Sequence, residues 1–341
     1  MPVRRRGREE IIMAGFNEIL GHEEIKENLR KAIRNNRISH AYILSGERGM
    51  GKKTIARAFA MTLLCERSST EPCMECHSCR QFLSDNHPDV IWVSHEKPAT
   101  IGVDDIRTQI NDTITIRPYE SKYKIYLVDE AEKMTVQAQN ALLKTIEEPP
   151  AYAILMLLTT NEELFLPTIL SRCVKLKLKP LTDDTVIHYL TEKKGISEED
   201  AHIDAAFARG NLGKAVELSG SEEFPAFRAE MLHLLSQMHS MDTAEMLDWI
   251  AKLVKDCPDL SQVLDFLQLW YRDVLAFKVT RDLNTLIFRS EYGLISEFSQ
   301  KSSYPGLEQV LEAIYKARVR LAANVTKELT LELMLLTMRE T

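Results

Sequence analysis

The chain has 341 residues, of which 45% are hydrophobic, and it carries only 13 glycines and 12 prolines. This composition excludes a disordered chain, and the length is sufficient for two or three hydrophobic cores. The net charge of −7 argues against a free-standing nucleic-acid-binding protein, which usually has a basic surplus. No apolar run reaches the length of a membrane span, so we expect no contact with a membrane.

Residues 1–15 are rich in arginine and lack the apolar stretch of a secretion signal, so we expect a disordered tail on a cytoplasmic protein. Over residues 16–180, apolar spacings typical of β-strands alternate with spacings typical of α-helices. The patterns predict strands over 40–45, 90–93, 125–128, 154–160 and 174–178, and helices over 22–35, 53–65, 103–111 and 135–147. Strands that alternate with helices indicate an α/β core with a parallel sheet. After Pro180 the pattern is helical only.

A glycine-rich loop follows the first predicted strand, where residues 46–54 read GERGMGKKT. In such a loop the backbone amides cradle phosphate at a helix N-terminus, and the lysine reaches the β- and γ-phosphates. The candidate nucleotide-binding residues are Gly46, Gly49, Gly51, Lys52 and Thr54.

The residue after Lys52 departs from the phosphate-loop pattern. A Ser or Thr hydroxyl that ligates Mg²⁺ normally stands there, but this chain has Lys53. Thr54 projects roughly 100° further around the helix. Because an ammonium repels Mg²⁺ and cannot ligate it, this loop allows ATP or ADP to bind but disfavours Mg²⁺ beside the nucleotide. We expect hydrolysis here to be weak or absent.

An apolar strand over 125–128 leads to Asp129 and Glu130 at the carboxyl edge of the predicted sheet. Ligands bind at this edge in open parallel sheets. Asp129 would hold the water shell of the metal, and Glu130 would polarise the attacking water. The alternative is a solvated turn, which is common after an apolar strand. The upstream phosphate loop favours the catalytic interpretation.

Four of the six cysteines, Cys65, Cys73, Cys76 and Cys79, fall within fifteen residues in the spacing C-x7-C-x2-C-x2-C. Such spacing lets thiolates converge on one tetrahedral Zn²⁺, and four thiolates leave no open catalytic position. Disulfides are the weaker alternative in a cytosolic chain, as are four unrelated buried thiols. The sequence predicts a structural zinc module over 65–79, with His77 as a bystander.

Several blocks in their order resemble one family. They are the cysteine cluster, Val128-Asp129-Glu130-Ala131, the segment AQNALLKTIEEPP over 138–150, Thr159-Thr160-Asn161 and Ser171-Arg172-Cys173. This series resembles the AAA+ clamp-loader subunits of bacterial DNA polymerase III, and the altered loop is most similar to the delta-prime type. The resemblance implies a RecA-like core with a zinc knuckle over 16–180, a small helical lid over 181–220 and an all-α collar over 221–341 that builds a five-subunit ring.

The resemblance also implies roles for individual residues. Thr160 matches the sensor that contacts the γ-phosphate. Arg172 matches the arginine finger, which reaches into the ATP site of a neighbouring subunit. Hydrolysing relatives carry an arginine in the lid, in a Gly-x-Leu-Arg pattern, where this chain has Gly213. The chain therefore departs from the family at its own site, through Lys53 and Gly213, while it keeps Arg172.

The implied function is that of an accessory subunit of a DNA-directed DNA polymerase, which helps to load the sliding clamp onto primer-template DNA. The implied partners are gamma/tau-type and delta-type loader subunits, with the clamp and DNA reached through the complex. From residue 221 onward the helices carry apolar residues beyond the needs of a small lid, among them Val310, Ile314, Leu329, Leu331, Leu333 and Leu335. Two alternatives remain open, an active AAA+ ATPase motor and a zinc-dependent nucleic-acid-binding module.

Overall fold

The computed structural model describes residues 15–340 except Ser68, Glu96, His239 and Pro258. The tail predicted over residues 1–15 therefore lies outside the described residues, apart from Gly15. The chain divides into two compact units between Leu181 and Thr182. Within the described part of the chain, none of the helices combines the length and apolarity that crossing a membrane requires.

The first unit is built on a five-stranded parallel sheet, as the alternating pattern predicts. The strands are β1 (Ala41–Ser45), β2 (Val90–Val93), β3 (Lys124–Val128), β4 (Ala153–Thr159) and β5 (Val174–Lys177), in the spatial order β2-β3-β4-β1-β5. The three central strands are buried along their whole length. This burial explains why they read as continuous apolar runs, since helices cover both faces of a parallel sheet.

Side chains of β1 alternate between two hydrophobic cores, one on each face of the sheet. Tyr42 and Leu44 lie in one core, and Ala41 and Ile43 lie in the other. The helices of this unit are α1 (Glu23–Arg34), α2 (Lys52–Leu64), α3 (His77–Leu83), α4 (Val103–Ile106), α5 (Asp112–Ile114), α6 (Val136–Glu147) and α7 (Pro167–Leu170). A π-helical turn over Arg107–Asn111 joins α4 to α5, so the helix predicted over 103–111 continues further than its apolar pattern indicates.

The second unit is entirely helical, as predicted from residue 181 onward. Its helices are α8 (Asp183–Lys194), α9 (Glu198–Ala208), α10 (Leu212–Ser219), α11 (Glu223–Gln237), α12 (Thr243–Asp256), α13 (Leu260–Thr280), α14 (Tyr292–Lys301), α15 (Tyr304–Ala322) and α16 (Lys327–Arg339). Gly195 ends α8 in the left-handed conformation, with φ of 68°, which glycine adopts without strain.

One hydrophobic core runs through the second unit. Phe207 of α9 packs edge-on against Phe224 of α11, with 5.1 Å between the ring centroids, and lies 6.2 Å from Phe266 of α13. Trp270 is completely buried in the same core. The predicted lid helices and the predicted collar helices thus share apolar contacts, and the boundary near residue 220 stays a prediction.

Candidate functional site

The glycine-rich loop joins β1 to α2 and has the shape that the sequence predicts. Gly49 and Gly51 take φ values of 90° and 94°, a left-handed conformation that residues with a Cβ rarely adopt. The amide of Gly46 donates a hydrogen bond of 3.1 Å to the carbonyl of Thr159, which anchors the loop to the end of β4. The first amides of a helix have no intrahelical partner, so the start of α2 and the open glycine backbone suit a phosphate group.

Lys52 lies across this loop. Its ammonium donates hydrogen bonds to the carbonyls of Gly46, at 2.6 Å, and Glu47, at 2.9 Å. Burial lowers the pKa of Lys52, while the nearby carboxylates of Glu132 and Asp129 act in the opposite direction. A phosphate that entered the loop would replace the two carbonyl contacts as the partner of this ammonium.

Lys53, which stands in place of the hydroxyl that normally ligates Mg²⁺, is paired with a carboxylate. Its Nζ lies 3.0 Å from Oδ2 of Asp129 and 5.2 Å from the centre of the Trp92 ring. The sequence predicts an ammonium in place of the Mg²⁺ ligand. It does not predict that this ammonium pairs with the carboxylate assigned to the metal, since the pairing depends on how β3 lies relative to α2.

Glu130, which follows β3, and Thr160, which follows β4, each contact a charged side chain nearby. Glu130 takes a φ of 50° and forms an ion pair of 2.6 Å with Lys133. The hydroxyl of Thr160 donates to Oε1 of Glu132 at 2.7 Å, and its amide donates to Oε2 at 3.2 Å. Sequence reasoning missed Glu132, although it stands only two residues after Glu130. The catalytic roles of Glu130 and Thr160 stay predictions.

Arg172 lies in the connection between α7 and β5. One end of its guanidinium is 3.0 Å from Oε1 of Glu147, at the end of α6, and the other donates to the carbonyl of Thr168 at 2.9 Å. The Arg172 side chain is 38% exposed. Its polar partners among the described residues all lie on or beside α6 and α7, so the structure does not bring Arg172 together with the phosphate loop. Glu147 is a second residue that sequence reasoning missed.

The four predicted cysteines come together. Their sulfur atoms all lie within 4.8 Å of one another, and Sγ of Cys73 is 4.0 Å from Sγ of Cys79. Zn–S bonds of about 2.3 Å in a tetrahedron place thiolates about 3.8 Å apart, so this donor set fits a metal ion. Cys65 lies at the end of α2 and Cys76 caps the start of α3, so the cluster joins two helices.

Backbone amides point at the sulfur atoms of this cluster. The amides of Cys73, Cys76 and Cys79 donate hydrogen bonds of 3.4 Å to the sulfurs of Cys65, Cys73 and Cys76, respectively. Hydrogen bonds from the backbone of Glu75 and Cys76 lower the pKa of Cys73 to about 6. Burial raises the pKa of Cys65 and Cys79. His77 stays outside the cluster, and its side chain is 70% exposed.

The order of the sheet and the placement of these residues define a class of protein. A phosphate loop follows β1, an acidic pair ends β3, and a threonine follows β4, which lies between them. This arrangement is that of an AAA+ core of the RecA-like kind, which positions nucleotide at the carboxyl edge of the sheet.

Comparison with known proteins places the chain within this class. The family described as DNA polymerase III, delta subunit matches residues 21–182, and its C-terminal counterpart matches residues 228–340. The delta-prime subunit of DNA polymerase III from Bacillus subtilis is 30% identical over 316 residues, which cover 92% of this chain and 94% of that protein. The chain belongs to the delta-prime family of DNA polymerase III clamp-loader subunits.

Other relatives are larger or more distant. The tau subunit of Bacillus subtilis is 27% identical over 89% of this chain, but the match spans 57% of that protein. The tau/gamma subunit of Haemophilus influenzae is 35% identical over 67% of this chain and 34% of its own length. A solved gamma subunit-related protein of DNA polymerase III from Thermotoga maritima aligns over 92% of this chain and 98% of its own, with 19% identity and a TM-score of 0.41.

Proposed function

We propose that this clamp-loader subunit completes the ATPase site of a neighbouring subunit through Arg172 while its own site hydrolyses little or no ATP. In this role it helps gamma/tau-type and delta-type subunits to load the sliding clamp onto primed DNA. The observation that carries the proposal is the ion pair of 3.0 Å between Lys53 and Asp129 in the chain's own metal position. A second observation supports the proposal. The Arg172 side chain is partly exposed, and none of its polar partners among the described residues belongs to the glycine-rich loop.

Two features support a silent site in this chain. The Lys53 ammonium uses a carboxylate that would otherwise hold the water shell of Mg²⁺, and a like-charged metal ion would be repelled. Gly213, in the first turn of α10, has no side chain at the lid position where hydrolysing relatives carry an arginine. Each change removes a positive contact or a metal ligand that phosphoryl transfer needs.

Arg172 is held loosely enough to change partner. Its ion pair with Glu147 joins two side chains that are 38% and 46% exposed. Surface pairs of this kind contribute about 0–1 kcal/mol. An arginine finger can increase the rate of hydrolysis by about 10³- to 10⁵-fold because it stabilises the transition state, and this effect is much larger than the contribution of such a surface pair.

The cysteine cluster is proposed to hold one structural Zn²⁺. Its four sulfurs fit a closed tetrahedral site, and the amides that donate to them would stabilise thiolates. Because Cys65 ends α2 and Cys76 begins α3, the metal would fix the segment that follows the phosphate-loop helix. Such a site has a structural role and no open position for catalysis.

The exposed apolar side chains of α15 and α16 support assembly through the collar. Val310, Ile314, Leu331 and Leu335 are buried in the core of the second unit. The exposed set on these two helices and the turn between them comprises Tyr304, Tyr315, Val319, Val325, Leu329 and Leu333, which are 39–67% exposed. An apolar face of this kind suits contact with another protein.

The experiment that tests the proposed function is steady-state ATP hydrolysis by the reconstituted loader. One preparation carries Arg172→Ala in this subunit, and another carries Lys52→Ala. If this chain were itself an active ATPase, which is the alternative function, the Lys52 variant would lose activity and the Arg172 variant would not.

A further inference from the structure

The phosphate loop keeps its phosphate-binding shape although its metal position is altered. Gly49 and Gly51 hold the left-handed backbone that opens the loop, and Lys52 remains at the start of α2. The change is confined to the charge next to the phosphates, where Lys53 stands. A loop of this kind can still receive phosphate oxygens at its amides and at Lys52.

Lys53 places a partly exposed cation beside Asp129. Its Nζ is held by Asp129 at 3.0 Å and lies over the Trp92 ring at 5.2 Å. In a metal-dependent site, Mg²⁺ stands between the phosphates and this carboxylate. An ammonium has three N–H donors, and a carboxylate contact uses one of them, so others are available for phosphate oxygens. Lys53 can therefore connect Asp129 to a phosphate without a metal.

The position expected for a third phosphate carries a negative charge, in contrast to the positive charge of Lys53. In this fold Thr160 follows β4 and is the residue expected to contact a γ-phosphate. Its hydroxyl and its amide both donate hydrogen bonds to the carboxylate of Glu132, at 2.7 Å and 3.2 Å. These two donors would therefore not be available to a γ-phosphate, which would also face the negative carboxylate of Glu132. A diphosphate has no third phosphate to meet this carboxylate.

We infer that the loop binds a nucleoside diphosphate without Mg²⁺, with Lys53 supplying the positive charge that the metal supplies elsewhere and Glu132 excluding a third phosphate. The inference rests on the proposed function only in treating this site as non-hydrolysing. No bond is made or broken, and the bound diphosphate acts as a ligand of the loop. Mg²⁺ should weaken binding or leave it unchanged, because the ADP–Mg²⁺ complex brings a second cation against Lys53.

Calorimetric titration of the full chain with ADP, in EDTA and in excess Mg²⁺, tests the role of Lys53. We expect the wild-type chain to bind ADP in EDTA, and Mg²⁺ to raise its dissociation constant by up to about tenfold, as repulsion between like charges a few ångströms apart requires. Lys53→Thr restores a hydroxyl ligand, so Mg²⁺ should lower its dissociation constant by about tenfold or more. Lys53→Arg keeps a cation and should retain the wild-type direction.

Titration with ATP in EDTA tests the role of Glu132. The wild-type chain should bind ADP more tightly than ATP, and Glu132→Gln should narrow this difference by about tenfold. Thermal denaturation of each variant shows that the loop variants are folded, and Lys52→Ala should lose binding under both metal conditions.

Three results would overturn the inference: no ADP binding in EDTA, tighter wild-type binding with Mg²⁺, or ATP binding as tight as ADP binding. None of them depends on Arg172. A wild-type loader that needs Arg172 but shows no ADP binding by this subunit would contradict this inference and leave the proposed function intact.

Discussion

Lys53 and Asp129 form an ion pair, with 3.0 Å between Nζ and Oδ2, and Lys53 stands where the phosphate-loop pattern normally has the hydroxyl that ligates Mg²⁺. The pair joins the first turn of α2 to the end of β3, so it links the two segments on which hydrolysis depends. Because both side chains are partly exposed, the pair adds little to stability. Under the proposed function, its importance is that it places a positive charge where the sequence pattern normally has a ligand of Mg²⁺.

The cysteine cluster predicts one zinc ion per chain. Elemental analysis of the purified protein should find about one zinc, because four sulfurs within 4.8 Å of one another form a closed tetrahedral donor set. Cys76→Ser should release the metal and increase proteolysis between α2 and α3, since metal binding stabilises such a segment. Cys257→Ser, outside the cluster, should retain the metal. Metal-free wild-type protein with four titratable thiols would contradict the assignment.

The exposed face of α16 predicts a contact with another loader subunit. Leu329 and Leu333 are 49% and 43% exposed. Replacing both with Asp should leave the chain folded and weaken its association with the loader by about tenfold or more, as loss of central apolar contacts does. Leu331→Asp is the matched control, because Leu331 is completely buried and its replacement should unfold the second unit. Unchanged assembly of the folded double variant in analytical ultracentrifugation would refute this contact.

The raised pKa of Asp204 predicts that the chain becomes less stable as pH rises. Burial, together with nearby Asp200, raises the pKa of Asp204 from 3.8 to about 7. The native state therefore binds more protons than the unfolded state between these values, and stability is lost as pH rises through that window. Asp204→Asn should raise the free energy of unfolding at about pH 8 by up to roughly 4 kcal/mol, and should change it little near pH 4.

Asp200 provides a control of opposite sign for this pH effect. Hydrogen bonds from Ser197 and Arg228 lower the pKa of Asp200, so its contribution to stability is present at neutral pH and lost in acid. Asp200→Asn should therefore destabilise the chain at about pH 8. Urea denaturation across the pH range distinguishes the two variants. Equal effects of Asp204→Asn in acid and in base would refute the assignment to a buried carboxyl.

Much of the fold can be predicted from the sequence, because the spacing of apolar residues reflects local strand and helix geometry. The strand over 90–93 and the helix that follows Thr135 lie where the apolar patterns predict them, and the Thr135 hydroxyl accepts a hydrogen bond from the amide of Ala138. The π-helical turn over Arg107–Asn111 could not be predicted, since an extra residue in a helical turn leaves no pattern in the sequence.

The candidate site divides in the same way. The phosphate loop and the four cysteines are contiguous or closely spaced, so their residue types identify them. The partners of Lys53, Thr160 and Arg172 are different, because Asp129, Glu132 and Glu147 approach them through the packing of separate elements. A single sequence contains no record of those distances. The core around Phe207 also crosses the boundary predicted near residue 220, so separating the predicted lid from the predicted collar would expose apolar side chains, which the sequence alone does not reveal.

The most direct test of the account is ATP turnover by the assembled loader with Arg172→Ala or Lys52→Ala in this subunit alone. Arg172→Ala should lower turnover at the one site that it serves by up to about 10³-fold, diluted in a bulk assay by the other sites. Lys52→Ala should change turnover by less than about twofold, because the proposal assigns little or no ATP hydrolysis to this chain's own site. Loss of turnover with Lys52→Ala, together with normal turnover with Arg172→Ala, would contradict the account and make this chain an ordinary ATPase subunit.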